Sequence, residues 1–79
     1  HPSVVFLDLR LPGIDGFEVC RRIKASSATS EIKIIAMTGL PDDSVRERIL
    51  ELGAATCLNK PFSIEDLRKA LLQVGVPLR

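Results

Sequence analysis

VVFLDLRLPGIDG, residues 4–16, is the stretch on which the fold turns. Four apolar residues, Val4-Val5-Phe6-Leu7, run without a polar break and stop at Asp8. A short continuous run of β-branched and aromatic residues predicts a strand buried on both faces. Asp8 closes that run, so its carboxylate lies where a buried strand surfaces. Open α/β sheets bind their ligands outside the carboxyl ends of the strands. Leu11-Pro12-Gly13 and Asp15-Gly16 follow, and these are loop and turn formers. The stretch reads as one acid at a strand tip, followed by a shaped loop.

Outward from there, strand and helix alternate. The first strand is placed at about Ser3 to Asp8. A helix is predicted from about Gly16 to Ala25, with Phe17, Cys20 and Ile23 at i, i+3 and i+6 and Val19 flanking them. Ser26-Ser27-Ala28-Thr29-Ser30 has no periodicity and reads as a loop. The second strand is Lys33 to Met37 and ends at Thr38-Gly39. Pro41-Asp42-Asp43-Ser44 offers N-capping side chains, and the pair Asp42-Asp43 reads as a cap rather than a metal site. The helix they start runs from about Asp42 to Leu52, with Val45, Ile49 and Leu52 on one face and Gly53 as its stop. The third strand is Ala55 to Leu58, ending at Asn59-Lys60-Pro61. Ser63 caps a third helix with Glu65 and Asp66 in its first turn. Ile64, Leu67, Leu71 and Val74 form its buried stripe, and Gly75 and Pro77 end it. Three strand-helix alternations imply a parallel sheet of the βαβ kind.

The bulk properties narrow the function classes. Seventy-nine residues make one thin domain, burying only about 60% of the surface of the unfolded chain. The composition is 46% apolar and 27% charged, with a formal charge of +1, so neither nucleic acid nor an anionic membrane is an expected partner. Arg21, Arg22 and Lys24 read as a solvated helix face. No apolar run approaches the roughly 20 residues that span a bilayer, and no signal peptide opens the sequence. Cys20 and Cys57 show no metal or CxxC spacing. Both read as small buried hydrophobes in a reducing cytosol, which makes a cytoplasmic location the expectation. His1 receives no role.

The strands end in three different polar residues: Asp8, Thr38 and Lys60. Parallel strands put all three at one edge of the sheet. A carboxylate there can act as a nucleophile, while a hydroxyl and an ammonium can bind the oxygens of a transferred phosphoryl group. The plainer alternative is a Lys60–Asp8 salt bridge with Thr38 as a capping residue. Lys60-Pro61 is a candidate for a cis peptide bond. A phosphatase of the haloacid dehalogenase type is disfavoured, because Arg10 stands where that class has its second acid. A nucleotide-binding domain is disfavoured as well, since no glycine-rich loop follows the first strand.

The chain resembles the receiver domain of bacterial two-component response regulators. The likeness is carried by VVFLDLRLPGIDGFEV around Asp8, IIAMTG around Thr38 and LNKPF around Lys60. It implies an α/β, flavodoxin-like receiver fragment in which three parallel strands alternate with three helices. It further implies a signalling protein rather than an enzyme, with Asp8 as the phosphoacceptor charged by a histidine kinase. Thr38 would hydrogen-bond the phosphoryl group and Lys60 would pair with it. Asp8 and the backbone carbonyl of Arg10 would be Mg²⁺ ligands.

Two departures accompany the likeness. Receivers carry two further strand-helix units ahead of the phosphoacceptor strand, and the first of those strands ends in an acidic pair that holds Mg²⁺. Residues 1–79 are therefore expected to be a partial receiver domain whose Mg²⁺ site is incomplete, the ion weakly held or absent. Cys57 stands where the family usually has a Tyr or Phe that swings inward on activation, whereas Phe62 matches the family. Two functions stay open. One is a phosphorelay receiver with impaired Mg²⁺-dependent phosphorylation. The other is a non-phosphorylated dimerisation or kinase-binding module.

The topology has a consequence for assembly. Right-handed crossovers between sequential strands put the first two helices on one face and leave the third to cover the other alone. The first strand becomes a sheet edge, apolar and without a charge or proline to guard it. A homodimer is expected through this edge, paired antiparallel across a twofold axis into one continuous sheet, with a swap of helices as a variant.

Overall fold

The computed structural model describes residues 4–10, 12–39 and 43–75. The elements are β1 (Val4–Asp8), α1 (Gly16–Ala25), β2 (Lys33–Thr38), α2 (Asp43–Glu51), β3 (Thr56–Asn59) and α3 (Ile64–Gln73). Ser3, Leu11, Asp42 and Pro77, which carried parts of the expected bounds and turns, lie outside the described residues. The alternation expected from the apolar runs is present, with β3 displaced by one residue toward the C-terminus.

The strands form one parallel sheet in the order β1-β2-β3. Val5 lies opposite Ile34, Phe6 opposite Ile35 and Asp8 opposite Met37. Ile35 lies opposite Thr56 and Thr38 opposite Asn59. Side chains alternate between faces along a strand. Leu7, Ile34, Ala36 and Cys57 therefore share one face, where they form the core with Cys20 of α1 and Ile49 of α2. Cys20, Ile34, Ala36 and Ile49 are all fully buried. α3 packs against β3, so helices one and two do share a face and the third takes the other.

That arrangement corrects the expectation for β1. Leu7 is buried on the α1–α2 face, but Phe6, pointing to the opposite face, is 44% exposed. The run Val4-Val5-Phe6-Leu7 is thus not buried on both sides. β1 lies at the edge of the sheet farthest from β3, and α3 covers the β3 end.

Local chemistry explains the helix ends. Asp15, read from sequence as a turn former, is the N-cap of α1 and accepts from the N–H groups of Phe17 (3.0 Å) and Glu18 (3.3 Å). α2 ends as a Schellman turn, with Gly53 N–H donating to the Leu50 carbonyl and Ala54 N–H to that of Ile49. Gly53 has a φ of +113°, which only glycine adopts without strain. Ser63 caps α3 in a capping box with Asp66.

Two further expectations change. Ile64, placed on the buried stripe of α3, is 85% exposed; Leu67, Leu71 and Val74 of that stripe are half-buried, and Ala70 at 3% is the fully buried residue of the helix. Ile64 is the first residue of the helix, and Ala70, lacking bulk, permits the close approach of α3 to β3. Arg21 and Arg22 do lie on a solvated face, where they pair with Glu18. Lys24 does not: it is half-buried and donates to the carbonyls of Ser30 and Ile32 (3.2 Å), tying the loop back to α1. Its stem is long enough to bury apolar methylenes while the ammonium satisfies backbone acceptors.

Candidate functional site

Asp8 is the last residue of β1, and its carboxylate has two different partners. Oδ1 accepts from the backbone N–H of Arg10 at 2.9 Å. Oδ2 accepts from the Lys60 ammonium, as a charge-assisted hydrogen bond within an ion pair. Lys60 follows β3, two strands away across the sheet, a span of about 10 Å at ordinary strand spacing. A long, straight side chain is what bridges that gap, so the residue type and the topology suit one another.

Lys60 is held at the rim by its backbone. Its N–H donates to the Thr38 carbonyl at 2.6 Å, carrying the β2–β3 ladder one step beyond Asn59. The Lys60-Pro61 peptide is cis, as its place after a strand had suggested. Thr38 closes β2 between the other two strand ends and is 2% exposed. The side chains of Asp8 and Lys60 are only partly covered, so the carboxylate is reachable from solvent while Thr38 is sheltered.

The electrostatics follow from these contacts. The Lys60 hydrogen bond, reinforced by the Arg10 N–H, holds the Asp8 carboxyl below its ordinary value. Asp8 is therefore ionised throughout the neutral range. The anticipated salt bridge and the anticipated convergence of strand ends are one arrangement, since Lys60 can reach Asp8 only if both lie at the same rim.

The Arg10 side chain was not anticipated at this rim. Its guanidinium lies over Gly39, the residue after Thr38. A Cβ built on Gly39 would come within 2.5 Å of Arg10 Nη1 and 3.6 Å of Cζ. The Arg10 charge also acts to lower the Asp8 pKa. The only signal in sequence was a glycine directly after the strand-end threonine, which marks a place where something approaches the backbone closely.

Mg²⁺ can be tested against these donors. The ion takes carboxylate and water oxygens in octahedral geometry. Among the described residues no group of three or more His, Cys, Asp or Glu stands close enough to hold a metal. Asp8 supplies one carboxylate, and both of its oxygens already accept from cationic or N–H donors. The described residues therefore do not by themselves fit Mg²⁺. Cys57 is 4% exposed within the core, and burial pushes its thiol pKa up; burial does the same to Cys20. Both are inert, packed thiols rather than ligands. Arg46, in α2, donates to the Cys57 carbonyl at 2.8 Å and ties that helix to β3.

The family model for the response regulator receiver domain matches residues 1–72. The chain is 40% identical over 74 residues to a probable transcriptional regulator, ycf27, of Porphyridium aerugineum, covering 94% of this chain and 30% of that protein. It is 37% identical over 71 residues to sporulation initiation phosphotransferase F of Bacillus subtilis, covering 90% of this chain and 56% of that protein. Among solved structures it resembles the signal receiver domain of a DNA-binding response regulator (merR) from Colwellia psychrerythraea 34H. That match has a TM-score of 0.86 and 48% identity, over 92% of this chain and 59% of the other. The chain thus spans from under a third to about three fifths of the length of these relatives. Among the described residues no helix is long and apolar enough to cross a membrane.

Proposed function

The chain belongs to the response regulator receiver domain family of two-component signalling, and on that footing we propose that Asp8 is its phosphoacceptor. The observation that carries this reading is the Lys60–Asp8 ion pair reaching across the sheet, beside Thr38 at the end of the intervening strand. An ionised Asp8 oxygen attacks the phosphorus of a phosphohistidine on a kinase, or of a small acyl phosphate. The new P–O bond forms as the P–N or P–O bond to the donor breaks, and the leaving group keeps the electron pair. The Lys60 ammonium, already beside the carboxylate, neutralises charge on the incoming oxygens. The Thr38 hydroxyl then binds a phosphoryl oxygen. The protein acts as a cytoplasmic phosphoprotein switch, with a histidine kinase as its partner, and not as an enzyme with a turnover substrate.

Metal assistance is expected to be weak from the described residues, for the reason given by the donor set. Incubation with acetyl phosphate and Mg²⁺, followed by intact mass, tests the assignment. A single phosphoryl adduct that disappears in Asp8→Asn supports it. No adduct, or one that survives Asp8→Asn, refutes it.

A second reading rests on the exposed Phe6 of β1. Among the described residues no strand pairs with the outer side of β1, and half-exposed apolar groups line that edge. Antiparallel pairing of two such edges would give a homodimer with one continuous sheet, and in this reading the chain serves as a dimerisation or kinase-binding module. Light scattering that finds only monomer at high concentration ends this reading and leaves the phosphoacceptor assignment standing.

A further inference from the structure

We propose that the Arg10 guanidinium is a second anion-binding group of the Asp8 rim, seated over Gly39 and binding the oxygens of an incoming phosphate-bearing donor. The proposal rests on the phosphoryl-transfer reading of the site but concerns a side chain that the reading leaves unused.

Three observations carry it. The first is position. Arg10 Nη1 crowds the place where any Cβ at Gly39 would stand, with Cδ and Cζ in ordinary contact behind it. The guanidinium is therefore laid along the backbone directly after Thr38 rather than extended away from the sheet. The second is charge. Lys60 already neutralises Asp8. The Arg10 cation acts on Asp8 through space, yet among the described residues no carboxylate pairs with its guanidinium. Asp8, Lys60 and Arg10 together leave one positive charge over at the rim, which favours an approaching anion. The third is chemistry. A guanidinium presents its N–H donors as a planar fork that matches phosphate oxygens in pairs, while an ammonium acts as a point charge. Lys60 and Arg10 thus offer different services: the first is committed to the carboxylate, the second is available to the donor.

Gly39 is what permits this seat. Its φ is not in the left-handed region, so its backbone would accept alanine. The clash from a new methyl group would fall chiefly on the far end of a flexible side chain. Gly39→Ala should therefore displace the guanidinium while leaving the fold and the charge intact.

The test is a titration of the purified protein with inorganic phosphate, without metal, followed by NMR at the Lys60 amide and the amide of residue 39. The wild type should bind saturably. Arg10→Gln should weaken binding by about tenfold, the effect of losing one charged hydrogen-bonding group. Arg10→Lys should recover only part of that. Gly39→Ala should weaken binding in the wild-type background and have no added effect in Arg10→Gln, because the two changes remove the same interaction. Absence of saturable binding in the wild type overturns the proposal, and so does an unchanged affinity in Arg10→Gln. A further loss from Gly39→Ala in the Arg10→Gln background overturns the role assigned to the seat. This experiment never forms a covalent adduct. Failure of the phosphoacceptor assignment, read by mass after acetyl phosphate, is therefore distinguishable from failure here.

Discussion

At the scale of single residues, the site is governed by how one carboxylate is kept charged. Lys60 lowers the Asp8 pKa first and the Arg10 N–H second. Removing the ammonium with Lys60→Ala should raise the titration midpoint of Asp8, followed by NMR of its carboxyl carbon. The remaining Arg10 N–H should keep it from rising far above its ordinary value. The sign for stability follows from linkage. A carboxyl depressed in the folded state contributes stability that is fully present above its unfolded pKa of about 3.9 and is lost as pH falls through the folded value. Glu18 behaves alike, held at about 2 by Arg21 and then Arg22. These three ion pairs are partly or largely open to solvent and contribute little to stability on their own. Lys60→Ala should therefore alter phosphorylation far more than it alters resistance to denaturant.

At the scale of elements, the ends of the helices carry more of the local specification than their faces do. Ser63→Ala removes half of the capping box of α3 and should cost about 1 kcal/mol in chemical denaturation. Gly53→Ala should cost more than about 1 kcal/mol, because its φ of +113° excludes an ordinary side chain. A Cβ there would also stand 2.6 Å from Lys24 Cγ, in the stem that ties the 26–32 loop to α1. The same denaturation curves should show an unchanged slope for both variants, since neither alters how much surface the fold buries.

At the scale of the whole molecule, the sheet is unevenly covered. Two helices pack on the Leu7–Ile34–Ala36–Cys57 face, and α3 takes the β3 end of the other. Phe6 is left at 44% exposure on an edge strand. If the edge pairs with a second copy, Phe6→Lys should abolish the dimer in concentration-dependent light scattering while leaving the circular dichroism spectrum in place. A charge on an edge strand is a common way of blocking such pairing. The variant removes little core packing, because Phe6 is not among the buried residues.

The alternation of strands and helices, their parallel sense and the rim shared by Asp8, Thr38 and Lys60 were all readable from residues 1–79. Those features depend on local periodicity, on capping side chains and on a handedness rule that applies to any strand-helix-strand unit. The family likeness was legible separately, from the motifs around Asp8, Thr38 and Lys60. Which apolar residues are truly buried was legible only in part: Cys20, Ile49 and Cys57 were read as buried and are, whereas Phe6 and Ile64 are not. Val4-Val5-Phe6-Leu7 and Ile64 have the composition of core residues, but burial depends on what another element places opposite them. Phe6 and Ile64 face stretches that no described element covers, while Ala70 is buried at 3% by its approach to β3. The seat of the Arg10 guanidinium over Gly39 was hidden in the same way. A long side chain chooses its direction from the space left by a neighbouring strand, and that space exists only once β1 and β2 lie side by side.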